Sequence, residues 1–170
     1  FALEPQFFIY MQLCGNIFLN KKTNIVPMNL AVGAVNSLIT LNNIEKYYDS
    51  NRMLVNFAGV SKGFEGEQVQ TIKLDELNIN NHITLLKIDV EGMEYEVVMG
   101  AKKMIEKHKP SIFIDINNIS KTEVAIEFLK ENDYIVRKIN NFYADDYLCI
   151  QKEKYKTLED QLNTILGVEI

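Results

Sequence analysis

Cysteine is scarce in this chain. Its 170 residues hold two, Cys14 and Cys149, with neither a pairing pattern nor a metal-ligand spacing. A disulfide scaffold and a cysteine-built metal centre are excluded. Both cysteines read as small buried hydrophobes, and a reducing, cytoplasmic compartment is the simplest inference. Excess positive charge is missing too. The formal net charge is -5, so the basic footprint of a nucleic-acid binder is not there. No apolar run is long enough to span a bilayer. No signal peptide is visible, and no internal repeat or low-complexity stretch appears. Proline is limited to 3 residues, each at an element boundary. Pro5 suits the first turn of a helix, Pro27 argues for a strand at a sheet edge, and Pro110 stops a helix.

What is there is ordinary for a globular domain: 47% hydrophobic and 24% charged residues, in a chain long enough for one core. The most informative stretch is Leu85-Leu86-Lys87-Ile88-Asp89-Val90-Glu91-Gly92-Met93-Glu94. Thr84 to Ile88 reads as a strand buried on both faces, as parallel strands are. From Met93 onward, Met93, Val97, Val98, Ala101, Met104 and Ile105 recur at helical spacing. Gly92 then sits in a strand-to-helix turn, where a missing Cβ lets the backbone bend. Asp89 and Glu91 fall at the carboxyl end of that strand, where open α/β sheets bind ligands. The plainer alternative is that they cap the following helix.

Around this centre, strands and helices alternate. Phe1 to Glu4 ends a strand, and a helix follows to about Asn20, with Tyr10, Met11, Cys14, Ile17 and Phe18 on one face. Ile25 to Leu30, Ser37 to Leu41 and Gln70 to Leu74 read as strands, and Asp75-Glu76-Leu77 as a helical turn. Residues 42 to 68 read as a long loop or small hairpin, forming a lid or an acceptor wall, or else a variable surface loop. Ser111 to Ile116 is a buried strand. Ser120 with Glu123 fits a capping box opening a helix through Asn132, with Val124, Ala125, Phe128 and Leu129 inward. Ile135 to Ile139 and Tyr147 to Gln151 form a last pair of strands, and Thr157 caps a last helix. The alternation predicts an α/β fold with a mostly parallel sheet. His82 and His108 lie at the wrong end of their strands and read as surface residues. Lys87 reads as a solvated edge charge. Asp115 ends the next strand and faces the same crevice, with Asn117 and Asn118 after it.

The central block, followed by Val97, Gly100-Ala101, Ile105 and Lys109-Pro110, resembles the signature of the FkbM-type methyltransferases. So do Phe1-Ala2-Leu3-Glu4-Pro5-Gln6, Leu13-Cys14-Gly15-Asn16, Asn24-Ile25-Val26, Leu30-Ala31-Val32-Gly33, Asn56 to Ser61 and Thr71 to Leu77, in the family's order. The resemblance implies a Rossmann-like three-layer sandwich and S-adenosylmethionine as methyl donor. It implies that Glu4, with Pro5 behind it, holds the two ribose hydroxyls of the cofactor, and that Asn29 faces the adenine. The alternatives are an exposed Glu before a helix and an ordinary turn Asn. It sets Asp89 beside the reacting methyl, as cofactor contact, general base, metal ligand or acceptor anchor, with Glu91 a weaker catalytic candidate; no separate metal site is implied.

The resemblance also implies a first strand and glycine-rich turn, which do not occur after Phe1. Gly59, Gly63 and Gly66 follow the third strand and cannot substitute. Residues 1–170 are therefore expected to form a single, partial methyltransferase domain. Two readings follow: O-methylation of a hydroxyl on a sugar, lipid or secondary metabolite, with a small-molecule or glycan acceptor, or a non-catalytic Rossmann-like module or inactive fragment. Nothing in the sequence sets an oligomeric state.

Overall fold

A computed structural model describes residues 1–41, 66–90, 92–115, 119–140 and 145–166. The elements are β1 (Ala2–Leu3), α1 (Phe7–Leu19), β2 (Pro27–Met28), β3 (Ala31–Val32), β4 (Ser37–Leu41), β5 (Glu67–Ile72), a 3-10 turn (Leu74–Glu76), β6 (Leu85–Ile88), α2 (Glu94–Met99), α3 (Lys102–His108), β7 (Ser111–Asp115), α4 (Ile119–Glu131), β8 (Tyr134–Asn140), β9 (Asp145–Gln151) and α5 (Lys152–Leu166). The fold is α/β, as the alternation requires. Among the described residues, no helix is long and apolar enough to cross a membrane.

The strands form three ladders, β1-β2, β3-β5-β4 and β6-β7-β9-β8. Pairing is parallel for β1 with β2, β3 with β5 and β6 with β7. It is antiparallel for β4 with β5 and through β7, β9 and β8. The expected parallel order thus holds beside the central strand, with Leu85 opposite Ser111 and Ile88 opposite Ile114. The antiparallel share enters where connections are short. Only residues 141–144 separate β8 from β9, too few for a parallel crossover.

The main core gathers Ile88, Val97, Val98, Ala101, Met104, Ile105, Ile112, Ile114, Ala125, Leu129 and Cys149. It thus contains the apolar positions after Met93 that recur at helical spacing. Ala31, Leu41 and Val69 form a smaller cluster on the second ladder. Helix α1 buries no residue fully. Met11 and Phe18, expected inward, are exposed together with Phe7, Phe8 and Leu19. Strand β6 is not buried on both faces either. Leu86 and Ile88 turn toward the core, while Leu85 is 60% exposed and Lys87 is exposed. Among the described strands, β1 and β6 each have a hydrogen-bonded neighbour on one side only.

The single helix expected after Met93 is two. Gly100 packs so closely on the chain that a Cβ there would stand 2.1 Å from the Gly33 carbonyl oxygen. The Gly100 carbonyl accepts the Asp75 N–H at 2.9 Å. The Asp75 carboxylate in turn accepts the N–H groups of Lys103 (3.2 Å) and Met104 (2.8 Å). The hydrogen bond that would continue α2 into α3 is therefore replaced by contacts to the 3-10 turn. Two caps differ for a similar reason of position. α4 already begins at Ile119, so Ser120 lies inside it, and Thr157 lies inside α5, donating to the Glu153 carbonyl at 3.4 Å.

Candidate functional site

The first group of site residues lies at the end of β1. The Glu4 N–H extends the ladder by donating to the Met28 carbonyl at 3.0 Å. Its Oε1 accepts the Gln6 N–H at 2.8 Å. The Asn29 amide donates to the carbonyls of Glu4 (3.0 Å) and Pro5 (2.8 Å), leaving Oδ1 as its acceptor. One turn thus contains Glu4, Pro5 and Asn29, all three expected at the cofactor. Gln6 caps α1 through its backbone, and Glu67 Oε1 accepts the next N–H, that of Phe7, at 2.8 Å. Two carboxylates therefore meet the donor-rich start of α1. Burial pushes the Glu4 carboxyl above its usual range; the Gln6 N–H opposes this, and Glu67 adds to the rise.

Gln6 was not singled out by sequence. It is 9% exposed, and its Oε1 is buried without a hydrogen-bond partner among the described residues. Such an atom costs about 1–3 kcal/mol unless a donor reaches it.

The second group lies at the end of β6. Lys87 and Asp89 alternate onto one side of the strand and pair at 2.5 Å, with Asp89 about half exposed. Asp89 is not a helix cap, because the residue preceding α2 is Met93. The turn is closed by Gly92, whose φ of 83° suits glycine. Its N–H is shared by the Val90 carbonyl (2.7 Å) and Glu94 Oε1 (3.0 Å). Glu94 is 1% exposed. Burial pushes its carboxyl up, the N–H groups of Glu94 and Gly92 pull it down, and Asp115 and Glu96 raise it further. Asp115 lies beside the end of β6, because Ile114 before it pairs with Ile88. The burial of Glu94 was legible, because it stands three and four residues before Val97 and Val98 on the helix face that enters the core.

The two groups share a foundation. Leu3, next to Glu4, packs on the main core, and Ile88, next to Asp89, belongs to it. Glu91, Asn117, Asn118 and residues 42–65 of the long loop lie outside the described residues. His82 is exposed as expected, but His108 is not a surface residue. It is 9% exposed, and its Nδ1 accepts the Ile83 N–H at 3.4 Å. The thiol of buried Cys149 is pushed up to about 12, which removes it as a nucleophile.

Residues 2–138 match the Methyltransferase FkbM domain. The crystal structure of the methyltransferase FkbM from Methylobacillus flagellatus KT is similar, with a TM-score of 0.58 and 18% identity over 86% of this chain. The likeness carries the fold, and the matched part spans 35% of that chain. None of the curated proteins matches. With more than half its length matching the domain, the chain belongs to the FkbM methyltransferase family.

Proposed function

We propose that this chain is the cofactor-binding part of an S-adenosylmethionine-dependent O-methyltransferase. Its acceptor is a hydroxyl on a small molecule or glycan, such as a sugar, lipid or secondary metabolite. The observation that carries the reading is the grouping of Glu4, Pro5 and Asn29 at the end of β1, within a chain of this family. Glu4 would accept both hydroxyls of a ribose. Asn29 fixes the turn by holding the Glu4 and Pro5 carbonyls and offers Oδ1 toward the base. When bound, the cofactor supplies an electrophilic methyl group on a sulfonium. Asp89 would then receive the acceptor hydroxyl's proton on its carboxylate, held in position by Lys87. Glu91 is the second candidate for that role.

Calorimetry with S-adenosylmethionine on the intact enzyme tests the reading. Binding is expected, and Glu4→Ala should weaken it by the loss of charge-assisted hydrogen bonds worth roughly 1.5–3 kcal/mol each. Asp89→Asn should lower turnover of the intact enzyme far more than cofactor affinity. Full turnover in Asp89→Asn would remove the base role, and no binding to the intact wild-type protein would favour a non-catalytic module.

A further inference from the structure

Helix α1 follows Glu4 directly, yet it buries no residue fully, so packing alone does not fix where its first turn lies. One hydrogen bond reaches that turn from a distant part of the chain. The Phe7 N–H donates to Glu67 Oε1 at 2.8 Å, across 60 residues of sequence. Glu67 is a firm anchor point. It opens β5 and pairs with Leu41 at the last rung of the β4-β5 ladder. Before it stands Gly66, where a Cβ would lie 1.8 Å from the Leu41 carbonyl oxygen, so the ladder closes there only without a side chain. Leu41 and Val69 beside it belong to the buried cluster of this ladder.

The N–H one residue earlier, that of Gln6, donates to Glu4 Oε1. Two carboxylates thus take consecutive N–H groups at the start of one helix, and their like charges are brought together. Among the described residues packed against Glu4, Pro27, Met28, Asn29 and the run from Phe7 to Ile9 carry no titratable side chain. Glu67 is the charged group that faces it.

We propose that Glu67 is a positioning residue for the cofactor: its carboxylate ties the first turn of α1 to the β4-β5 ladder and so holds Glu4 where the ribose hydroxyls meet it. The inference rests on the cofactor reading of Glu4. Tether and charge act in opposite senses. The bond to Phe7 fixes the turn, whereas the charge opposes ionisation of Glu4, whose carboxyl burial already raises. An ionised Glu4 accepts with both oxygens, and a protonated one does not. Cofactor affinity therefore falls as pH drops through the raised Glu4 value, and Glu67 moves that fall to higher pH.

The test uses the intact enzyme with Glu67→Gln and Glu67→Ala. Both remove the charge, but only Gln keeps an acceptor for the Phe7 N–H. In the ligand-free protein, NMR of the Glu4 carboxyl should show it titrating at lower pH in Glu67→Gln than in wild type. Exchange of the Phe7 amide should quicken in Glu67→Ala and stay near wild type in Glu67→Gln. Calorimetry with S-adenosylmethionine at pH 7 should find Glu67→Ala weakened about two- to tenfold, in the range of a lost helix cap, and Glu67→Gln unchanged. At pH 5, Glu67→Gln should bind more tightly than wild type. An unmoved Glu4 titration, or wild-type affinity in Glu67→Ala at pH 7, overturns the inference. Glu4→Ala separates the two levels. Unchanged affinity there removes the cofactor reading and this inference with it, whereas weakened binding in Glu4→Ala beside normal binding in Glu67→Ala removes the tether alone.

Discussion

Two buried titratable side chains act on stability with opposite signs. Glu94 has its carboxyl raised, first by burial. A group raised in the folded state contributes stability below its unfolded value, near 4.5, and loses it as pH rises through the folded value. At neutral pH its charge is therefore a cost. Glu94→Gln keeps an acceptor for the Gly92 N–H and removes that charge. It should raise the melting temperature at pH 7, and the gain should vanish at pH 4. His108 is lowered, first by burial and then by Lys107 and His82. Its contribution is present above the unfolded value of about 6.5 and is lost as pH falls below it. In thermal melts between pH 7.5 and 5, His108→Asn should flatten the acid limb relative to wild type. An unchanged slope would mean that another group sets it.

At the scale of elements, the junction of α2 and α3 depends on one carboxylate. Asp75→Ala removes the acceptor for the Lys103 and Met104 N–H groups and should cost about 0.5–2 kcal/mol, the range for a lost cap. Asp75→Asn should cost less than Asp75→Ala, since its one amide oxygen still accepts from one of the two N–H groups. Chemical denaturation of the two variants checks the difference. The same junction shows what the sequence could convey. Period and burial agree from Val97 to Ile105, because the apolar stripe is a local property read from spacing. The break at Gly100 depends on Asp75 and Gly33, which are distant in sequence, and no local pattern announces it. Ser120 and Thr157 failed as caps because α4 already begins at Ile119 and α5 at Lys152. Of the site, the grouping of Glu4, Pro5 and Asn29 was legible through resemblance alone. Gln6 was not legible at all, since an unsatisfied oxygen is a property of packing.

Across the whole molecule, stability is distributed unevenly, and the described cores say how. The ladder β6-β7-β9-β8 with α2, α3 and α4 holds the large cluster, including Val98, Ala101, Ile105, Ile112, Ala125, Leu129 and Cys149, none of them exposed. The ladder β3-β5-β4 rests on three buried apolar residues. Helix α1 buries none, is followed by the two-residue strand β2, and carries Phe8 at 65% and Phe18 at 82% exposure. Local opening free energies range from near zero in such segments up to the global value in a packed core. Amide hydrogen exchange should therefore proceed in order: α1 and the β1-β2 ladder first, β3 to β5 next, and β6, β7 and β9 last. Glu4, Pro5 and Asn29 lie within the first segment, so a ligand that engages them adds its binding energy where intrinsic stability is least. Saturating S-adenosylmethionine should then slow exchange in residues 4–19 more than in residues 111–115, where opening is already rare. Equal protection of α1 and β7 without ligand would refute the ordering. Slowing confined to β7 with ligand would separate the cofactor from the end of β1.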